Sequence, residues 1–258
     1  KTHLGKFDDA LARALCWTAI WDMHRDAEIS SADFIEIALS GLAGEGDDAI
    51  VSTVLMQLST SVEAYSKEAN RNSYREKLAD GLWALAQNSK PGSDLQLLFS
   101  RAFALSAQTE AQTAHIRALF NGSAPGLKVD TDLRWYFLIA LTERGATTKA
   151  ELDAELAGDK TTAGSLAFET CLAAMPTSDA KAYAFNKVLN EEIATSVRSA
   201  LIAGFQRPIQ GALLEPFVHL YFDNLISVWE SKSYDPAAKY VTGFYPSWIV
   251  KQSTVDLT

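Results

Sequence analysis

The sequence predicts an all-α protein, specifically an irregular α-solenoid of antiparallel helical hairpins, similar to HEAT or armadillo arrays and curved into a bowl. The first reason is that apolar residues recur at steps of three and four, which places them on one face of a helix. The second is that strand-like alternation of β-branched residues does not continue beyond a few positions. The third is that helix-start signals and short turns separate the periodic segments. Short turns make sequential helices neighbours in space, and a row of such hairpins tends to curve.

The first half of the chain shows the helical spacing most clearly. Residues 13–37 comprise a nearly all-round apolar segment, a short acidic turn and a second segment that begins at Ser30, with Asp33 three residues later. Three further segments carry apolar residues at helical spacing, namely Ile50, Val54, Leu58, Val62 and Tyr65; Tyr74, Leu78, Leu82 and Leu85; and Leu95, Phe99, Phe103 and Leu105. This spacing predicts a core that includes Trp17, Ile20, Val54, Leu58 and Leu138.

Local signals also predict where the helices begin and end. Capping boxes, in which a hydroxyl and a Gln or Glu three residues later bond to each other's N–H groups, occur at Ser93 with Gln96, Thr109 with Gln112, and Thr148 with Glu151. Glycines that tolerate a left-handed helix end are Gly44, Gly145 and Gly158. The clearest turns are residues 88–92 and 121–126, and Pro216 is predicted to start a fresh helix at Phe217. We therefore expect roughly a dozen helices of about 10–20 residues.

The whole chain, residues 1–258, is predicted to be one helical-repeat domain. Its length is enough to bury a large core. The only candidate linker is residues 121–129, and this stretch is too short to establish two domains. No tetratricopeptide or ankyrin consensus is present, and no fixed repeat period survives inspection.

Composition and charge exclude several classes of partner. With a formal net charge of −9 and no basic run, the chain lacks the clustered Lys and Arg of a nucleic-acid surface. The apolar segment 14–21 is far shorter than the roughly 20 residues that span a bilayer, so no membrane partner is expected. No signal-peptide pattern is visible, although the chain starts at Lys1 rather than Met. Cys16 and Cys171 lie in separate apolar stretches and are predicted to be small buried hydrophobes, which fits a cytoplasmic location.

The sequence carries no recognisable catalytic or metal-binding motif. The histidines are His3, His24, His115 and His219, and none forms H-E-x-x-H or a zinc-ligand spacing with another His or Cys. His115 and His219 are predicted to be hydrogen-bonded or surface residues rather than ligands. The strings G-x-S-x-G, G-x-x-x-x-G-K and the glycine-rich dinucleotide fingerprint are also absent. We therefore expect no catalytic and no metal-binding residue in this chain.

Charged and aromatic clusters leave alternatives that the residue types alone do not resolve. The acid pairs are Asp8-Asp9, Asp47-Asp48 and Glu191-Glu192; such pairs hold magnesium in prenyl-diphosphate enzymes, but the further carboxylates one turn on are missing after the first two. Acids at a helix start, favoured by the macrodipole, are the preferred interpretation. Arg134, between acids and aromatics, is predicted to form a structural salt bridge rather than a functional site. A ligand box of tryptophans is disfavoured against core packing for Trp17, Trp21, Trp135 and Trp229.

The wording of residues 13–37 resembles the start of the helical C-terminal domain of M1-family zinc aminopeptidases, of the aminopeptidase N type found in actinobacteria. Supporting similarities lie at residues 101–104, 121–122, 129–135 and 207–247, so the resemblance covers nearly the whole chain. It implies that a longer parent protein carries the zinc, held by H-E-x-x-H and a distant Glu, and a Gly-x-Met-Glu-Asn loop for the free amine. Neither motif is present here, because Met23, Met56 and Met175 are followed by His, Gln and Pro.

The resemblance implies a non-catalytic domain that covers the active-site chamber of the parent and controls the access of peptide substrates. Its partners would be the catalytic domain of the same polypeptide and the peptides from which the parent removes N-terminal residues. The alternative is a free-standing helical-repeat scaffold that binds a partner protein on a concave face. A third class, an all-α lyase or synthase, is disfavoured by the incomplete acid motifs.

Overall fold

The computed structural model describes residues 7–258, and over this range the regular secondary structure is helical, with no β-strand. The prediction of an all-α fold is confirmed. The helices group into two compact units, of which one ends at Val129 and the other is Asp130–Thr258. None of the helices in the described range is both long enough and apolar enough to cross a membrane.

The first unit contains six α-helices. They are α1 (Ala10–Arg25), α2 (Ser31–Leu42), α3 (Asp48–Thr60), α4 (Glu68–Asn88), α5 (Asp94–Ser106) and α6 (Glu110–Phe120). A π-helical turn, Ser61–Tyr65, follows α3 directly. The most extensive contact is between α4 and α5, while α2 and α3 pack against these two helices and α1 packs against α2 and α3.

The second unit contains nine α-helices. They are α7 (Thr131–Thr142), α8 (Lys149–Gly158), α9 (Thr162–Ala174), α10 (Ser178–Asn190), α11 (Thr195–Phe205), α12 (Gly211–Leu214), α13 (Phe217–Ser231), α14 (Tyr234–Gly243) and α15 (Gln252–Leu257). A single 3₁₀ turn, Pro208–Gln210, precedes α12. Helix α9 lies at the centre of the contacts, because α7, α8, α10 and α11 all pack against it.

The predicted helix boundaries agree closely with the structure. The hydroxyls of Ser93, Thr109 and Thr148 each accept a hydrogen bond from the backbone N–H three residues on, at 3.2 Å. Only Thr109 and Gln112 complete the reciprocal capping box within these contacts, since the Gln96 side chain bonds to the N–H of Gly92 instead. Helix α13 begins at Phe217 directly after Pro216, as predicted. Of the three predicted terminal glycines, Gly145 has the left-handed backbone, with φ of 71°.

Four of the five predicted core residues are buried: Trp17, Val54, Leu58 and Leu138; Ile20 is half-buried. The predictions for two residues on the apolar faces are wrong. Tyr65 is 47% exposed because the π-helical turn adds one residue per hydrogen-bonded ring and rotates Tyr65 away from the face of Val54. Leu105 is half exposed because it lies two residues beyond Phe103, which is the opposite side of the helix.

Close approach between α9 and α11 organises the second unit. A Cβ atom added at Gly204 would lie 2.2 Å from the carbonyl oxygen of Thr170, so only glycine fits this crossing. The Thr170 hydroxyl donates to the carbonyl of Ala200 across the same interface, at 3.1 Å. Beyond it, aromatic rings dominate the core of the unit, and the rings of Phe205 and Phe244 lie 4.8 Å apart in an edge-to-face arrangement.

Candidate functional site

The histidines do not assemble a metal centre. His24 is buried, and its ring stacks on Phe34 with 4.8 Å between centroids, while His115 stacks on Trp83 at 4.5 Å. His219 is exposed, as predicted, and His3 lies outside the described residues. Within residues 7–258, no group of three or more His, Cys, Asp or Glu side chains is placed to hold a metal ion. The zinc that the family resemblance implies for the parent therefore has no fitting ligand set in this part of the chain.

Two of the three acid pairs start helices, as predicted, and one does not. Asp9 is the N-cap of α1 and accepts a hydrogen bond from the N–H of Leu11. Asp47 caps α3 in the same way. The prediction is wrong for Glu191-Glu192, because α10 ends at Asn190 and α11 begins only at Thr195. These two glutamates lie in the connection between helices, where the macrodipole argument does not apply.

Arg134 forms the predicted salt bridge. Its Nε and Nη2 donate to the two carboxylate oxygens of Glu155, each at 2.6 Å, so α7 and α8 are joined by a two-pronged ion pair. The neighbouring Trp135 is buried, and its indole N–H donates to Asp159 Oδ2 at 2.8 Å. The hydrogen bonds from Thr161 and Trp135 lower the pKa of Asp159. This region is structural and leaves no reactive group free.

The prediction that the four tryptophans belong to the core holds only in part. Trp17 and Trp135 are buried and Trp21 is half-buried, but Trp229 is 50% exposed and packs edge-to-face against the ring of Tyr234. The two cysteines differ in the same way. Cys171 is fully buried, and burial raises the pKa of its thiol to about 12, whereas Cys16 is only half-buried. A thiol with so high a pKa is an inert packing group.

The most unusual polar group is Lys181, a residue with no exposed surface in the core of the second unit. Its Nζ donates to the carbonyls of Ala173 at 2.8 Å and of Gly204 and Phe205 at 3.2 Å each. These carbonyls belong to the last turns of α9 and α11, which have no partner within their own helices. Burial, with the Arg207 charge second, lowers the pKa of Lys181 to about 7. The lysine thus ties two helix ends together.

An ion-pair network lies in the same unit. Glu143, which is buried, accepts from Arg144 and forms a salt bridge of 3.4 Å with Arg207. Gln210 donates to the backbone carbonyls of Glu143 at 2.7 Å and Ala174 at 2.9 Å. The carboxylate of Glu143 is therefore neutralised by arginines. It is not poised as a general base.

The first unit contains an open-mouthed cavity of about 310 Å³. Side chains of α4, α5 and α6 and of the turns 89–93 and 121–126 line it, and every lining residue is uncharged. Such a cavity suits binding rather than catalysis, because it presents no acid, base or strong nucleophile.

The surface of α1 carries an apolar stripe, which we define as Leu11, Leu15, Ala19 and Met23. All four side chains are exposed, and their spacing of four residues puts them on one face of the helix. An exposed run of large apolar side chains is typical of an interaction surface.

Comparison with known proteins decides between the hypotheses for this chain. A sequence profile of the ERAP1-like C-terminal domain matches residues 1–258. The chain belongs to the ERAP1-like C-terminal domain family. Aminopeptidase N of Streptomyces lividans is similar to it, with 38% identity over 259 residues that cover 99% of this chain and 30% of the relative. The chain thus spans about 30% of the length of the curated relative it matches.

Sequence reasoning missed the most buried charges of this ERAP1-like domain. Lys181 and Glu143 were not singled out, although a signal for Lys181 exists. Lys181 falls at helical spacing among buried apolar residues of α10, with Ala184, Phe185 and Val188 following on the same face. A lone lysine on an apolar stripe predicts a buried cation, and carbonyl groups at helix ends are the partners such a cation finds.

Proposed function

We propose that this chain is the non-catalytic C-terminal domain of an M1 zinc aminopeptidase, where it covers the active-site chamber and controls which peptides enter. The parent would remove N-terminal residues from peptides, in the cytoplasm, with a zinc ion bound in a separate catalytic domain. The observation that carries the proposal is membership of the ERAP1-like C-terminal family along the whole chain, together with the lack of a metal-ligand group among residues 7–258.

The apolar stripe of α1 supports attachment to another domain. Leu11 and Leu15 are 66% and 62% exposed, which is costly for a surface that stays in water. Arg13 lies on the other side of the helix and bonds to Glu45, so the orientation of α1 is fixed and the stripe faces outwards. In the proposed parent, the stripe packs against the catalytic domain.

The charge of the chain supports a role towards peptides. At a net charge of −9, the chain attracts the free amino terminus that every substrate of an aminopeptidase carries. This attraction acts over about 8–10 Å at physiological salt, so it steers substrates without forming a specific contact. Added salt is expected to weaken the effect of the domain on peptide hydrolysis.

An add-back experiment tests the covering role. The catalytic part of the related aminopeptidase N is produced without this domain, and the separately purified chain is added to it. Hydrolysis of single-residue anilides is compared with hydrolysis of peptides of increasing length. We expect the added chain to bind and to change the ratio of the two rates, because it restricts entry by size. If the chain neither binds nor changes that ratio, the covering role is wrong and a free-standing scaffold is favoured.

Charged substitutions on the stripe locate the contact. The double variant Leu11→Glu and Leu15→Glu is expected to abolish binding to the catalytic part, since two carboxylates would be buried without partners. Met56→Glu is the matched control, because Met56 is 64% exposed on α3 and lies outside the stripe. Equal binding of the stripe variant and the control would show that α1 is not the contact surface.

A further inference from the structure

The cavity of the first unit has the size and lining of a small-molecule site. Its volume of about 310 Å³ is roughly twice the 150 Å³ of a cavity that holds benzene. Trp83 supplies an aromatic wall, and Ala86, Ala118 and Leu119 supply aliphatic walls. The small alanine side chains leave the space that a ligand ring would occupy.

Two turns fix the mouth of the cavity in place. Gln96 joins them, since its side-chain carbonyl accepts from the N–H of Gly92 at 2.8 Å and its amide donates to the carbonyl of Pro125 at 3.1 Å. The turns also touch directly, because a Cβ atom at Gly126 would lie 2.6 Å from the nitrogen of Gly92. Both glycines have positive φ, of 77° and 78°. The mouth is therefore formed before any ligand arrives, which lowers the entropy cost of binding.

A single unsatisfied polar group lies inside the cavity. Ser100 lines it from α5, one helical turn beyond Gln96, and is only 1% exposed. Its hydroxyl has no hydrogen-bond partner, not even the carbonyl four residues earlier that helical serines commonly use. A buried hydroxyl without a partner costs free energy, and a ligand atom that bonds to it recovers that cost.

We propose that this cavity binds an uncharged aromatic molecule of one or two rings whose one polar group hydrogen-bonds with the hydroxyl of Ser100. The aromatic wall and the volume select the rings, and Ser100 selects the polar group. The lack of a charged residue in the lining excludes a carboxylate or an ammonium group, because burying either one without a partner is unfavourable. This site differs from the proposed control of peptide entry, since a peptide terminus carries the charge that the cavity rejects.

Three probes of one shape test the chemistry: indole, which donates from its ring N–H; 1-methylindole, which lacks that donor; and indole-3-acetate, which adds a carboxylate. Binding to the full chain is measured by nuclear magnetic resonance from the indole N–H signal of Trp83. Saturable one-to-one binding of indole below about 1 mM is expected. Indole-3-acetate is expected to bind at least tenfold more weakly than indole. Equal affinity for the two would overturn the proposed chemistry.

Substitutions in the chain separate the hydroxyl from the walls. Ser100→Ala is expected to weaken indole binding about fivefold and to leave 1-methylindole unchanged, because only indole donates to the hydroxyl. Ser106→Ala is the matched control on the same helix, since its hydroxyl bonds to the carbonyl of Ala102 and does not line the cavity. Ala118→Phe, which fills the cavity, is expected to abolish binding of both probes.

The proposal is overturned if indole fails to saturate the Trp83 signal, or if Ser100→Ala weakens indole and 1-methylindole equally. Unchanged indole affinity in a folded Ala118→Phe protein would overturn it as well. If Ala118→Phe does not fold, the comparison of Ser100→Ala with Ser106→Ala decides alone. The serine-to-alanine changes remove a single oxygen each and keep the packing of α5.

Discussion

The two units treat their buried charges differently. In the first unit, the buried Glu45 carboxylate accepts from Arg13 Nε at 3.1 Å through each of its oxygens, and Arg75 forms a two-pronged pair with Glu63. In the second unit, the two most deeply buried cations, Lys181 and Arg198, bond to backbone carbonyls instead. The first arrangement places opposite charges together, and the second surrounds a charge with neutral dipoles.

The difference has opposite consequences for ionisation. Burial raises the pKa of Glu45, but the hydrogen bonds from Arg13 and from the backbone of Asp47 outweigh it, so the pKa lies below its usual value. For Lys181 no carboxylate bonds to the ammonium group, and burial lowers its pKa to about 7. Burial likewise lowers the pKa of Arg198. A paired charge therefore stabilises its unit, whereas a charge held by carbonyls reduces stability while it remains protonated.

Removing the carboxylate of the first unit should give the largest effect. Glu45→Ala leaves the Arg13 guanidinium, the indole N–H of Trp17 and the N–H groups of Gly46 and Asp47 without their acceptor. We expect the free energy of unfolding to fall by about 3 kcal/mol, as measured by urea denaturation. Glu28→Ala, at an exposed site, is the control and should change it little. A loss in Glu45→Ala as small as the control would show that the buried pair contributes nothing.

The buried lysine should give a pH dependence of the opposite sign to that of a carboxylate pair. Between pH 7 and the ordinary lysine pKa of 10.5, the unfolded chain binds the proton and the folded chain does not. Stability therefore rises with pH in this window, by at most about 1.4 kcal/mol per pH unit. Lys181→Met should lack this rise, while Lys149→Met, at an exposed lysine, should keep it. Urea denaturation at pH 7.5 and 9.5 measures both; an unchanged rise in Lys181→Met would contradict the assignment.

The least buried of these pairs should give the smallest effect. Arg134 and Glu155 have the same two-pronged geometry as the pairs of the first unit, but the Arg134 side chain is 36% exposed. Water screens this pair, so we expect Glu155→Ala to lower the free energy of unfolding by about 1 kcal/mol or less. Thermal unfolding beside Glu45→Ala checks the ranking. A loss in Glu155→Ala as large as that in Glu45→Ala would mean that geometry, rather than burial, sets the strength of these pairs.

Local signals predicted the helices because helix ends are set by local chemistry. The hydroxyl caps at Ser93 and Thr109 and the start after Pro216 depend only on residues within one turn. The Arg134 salt bridge was predicted for a similar reason, since an arginine among acids finds a carboxylate in most folds.

Side-chain environments were harder to predict because tertiary packing decides them. Trp229 follows the buried Val228 by one position, so a small rotation of α13 decides which of the two is covered. The environment of Lys181 depends on the ends of α9 and α11, which no local pattern places beside α10. The uncharged cavity is formed by three helices and two turns, and no motif describes it.

Zinc binding by the chain tests the central claim, that this ERAP1-like domain has no catalytic centre of its own, most directly. The purified chain is dialysed against zinc, its metal content is measured, and hydrolysis of aminoacyl anilides is assayed with and without a chelator. The account predicts zinc far below one equivalent and no hydrolysis, because residues 7–258 offer no group of three ligands. One equivalent of retained zinc, with hydrolysis that the chelator abolishes, would contradict it.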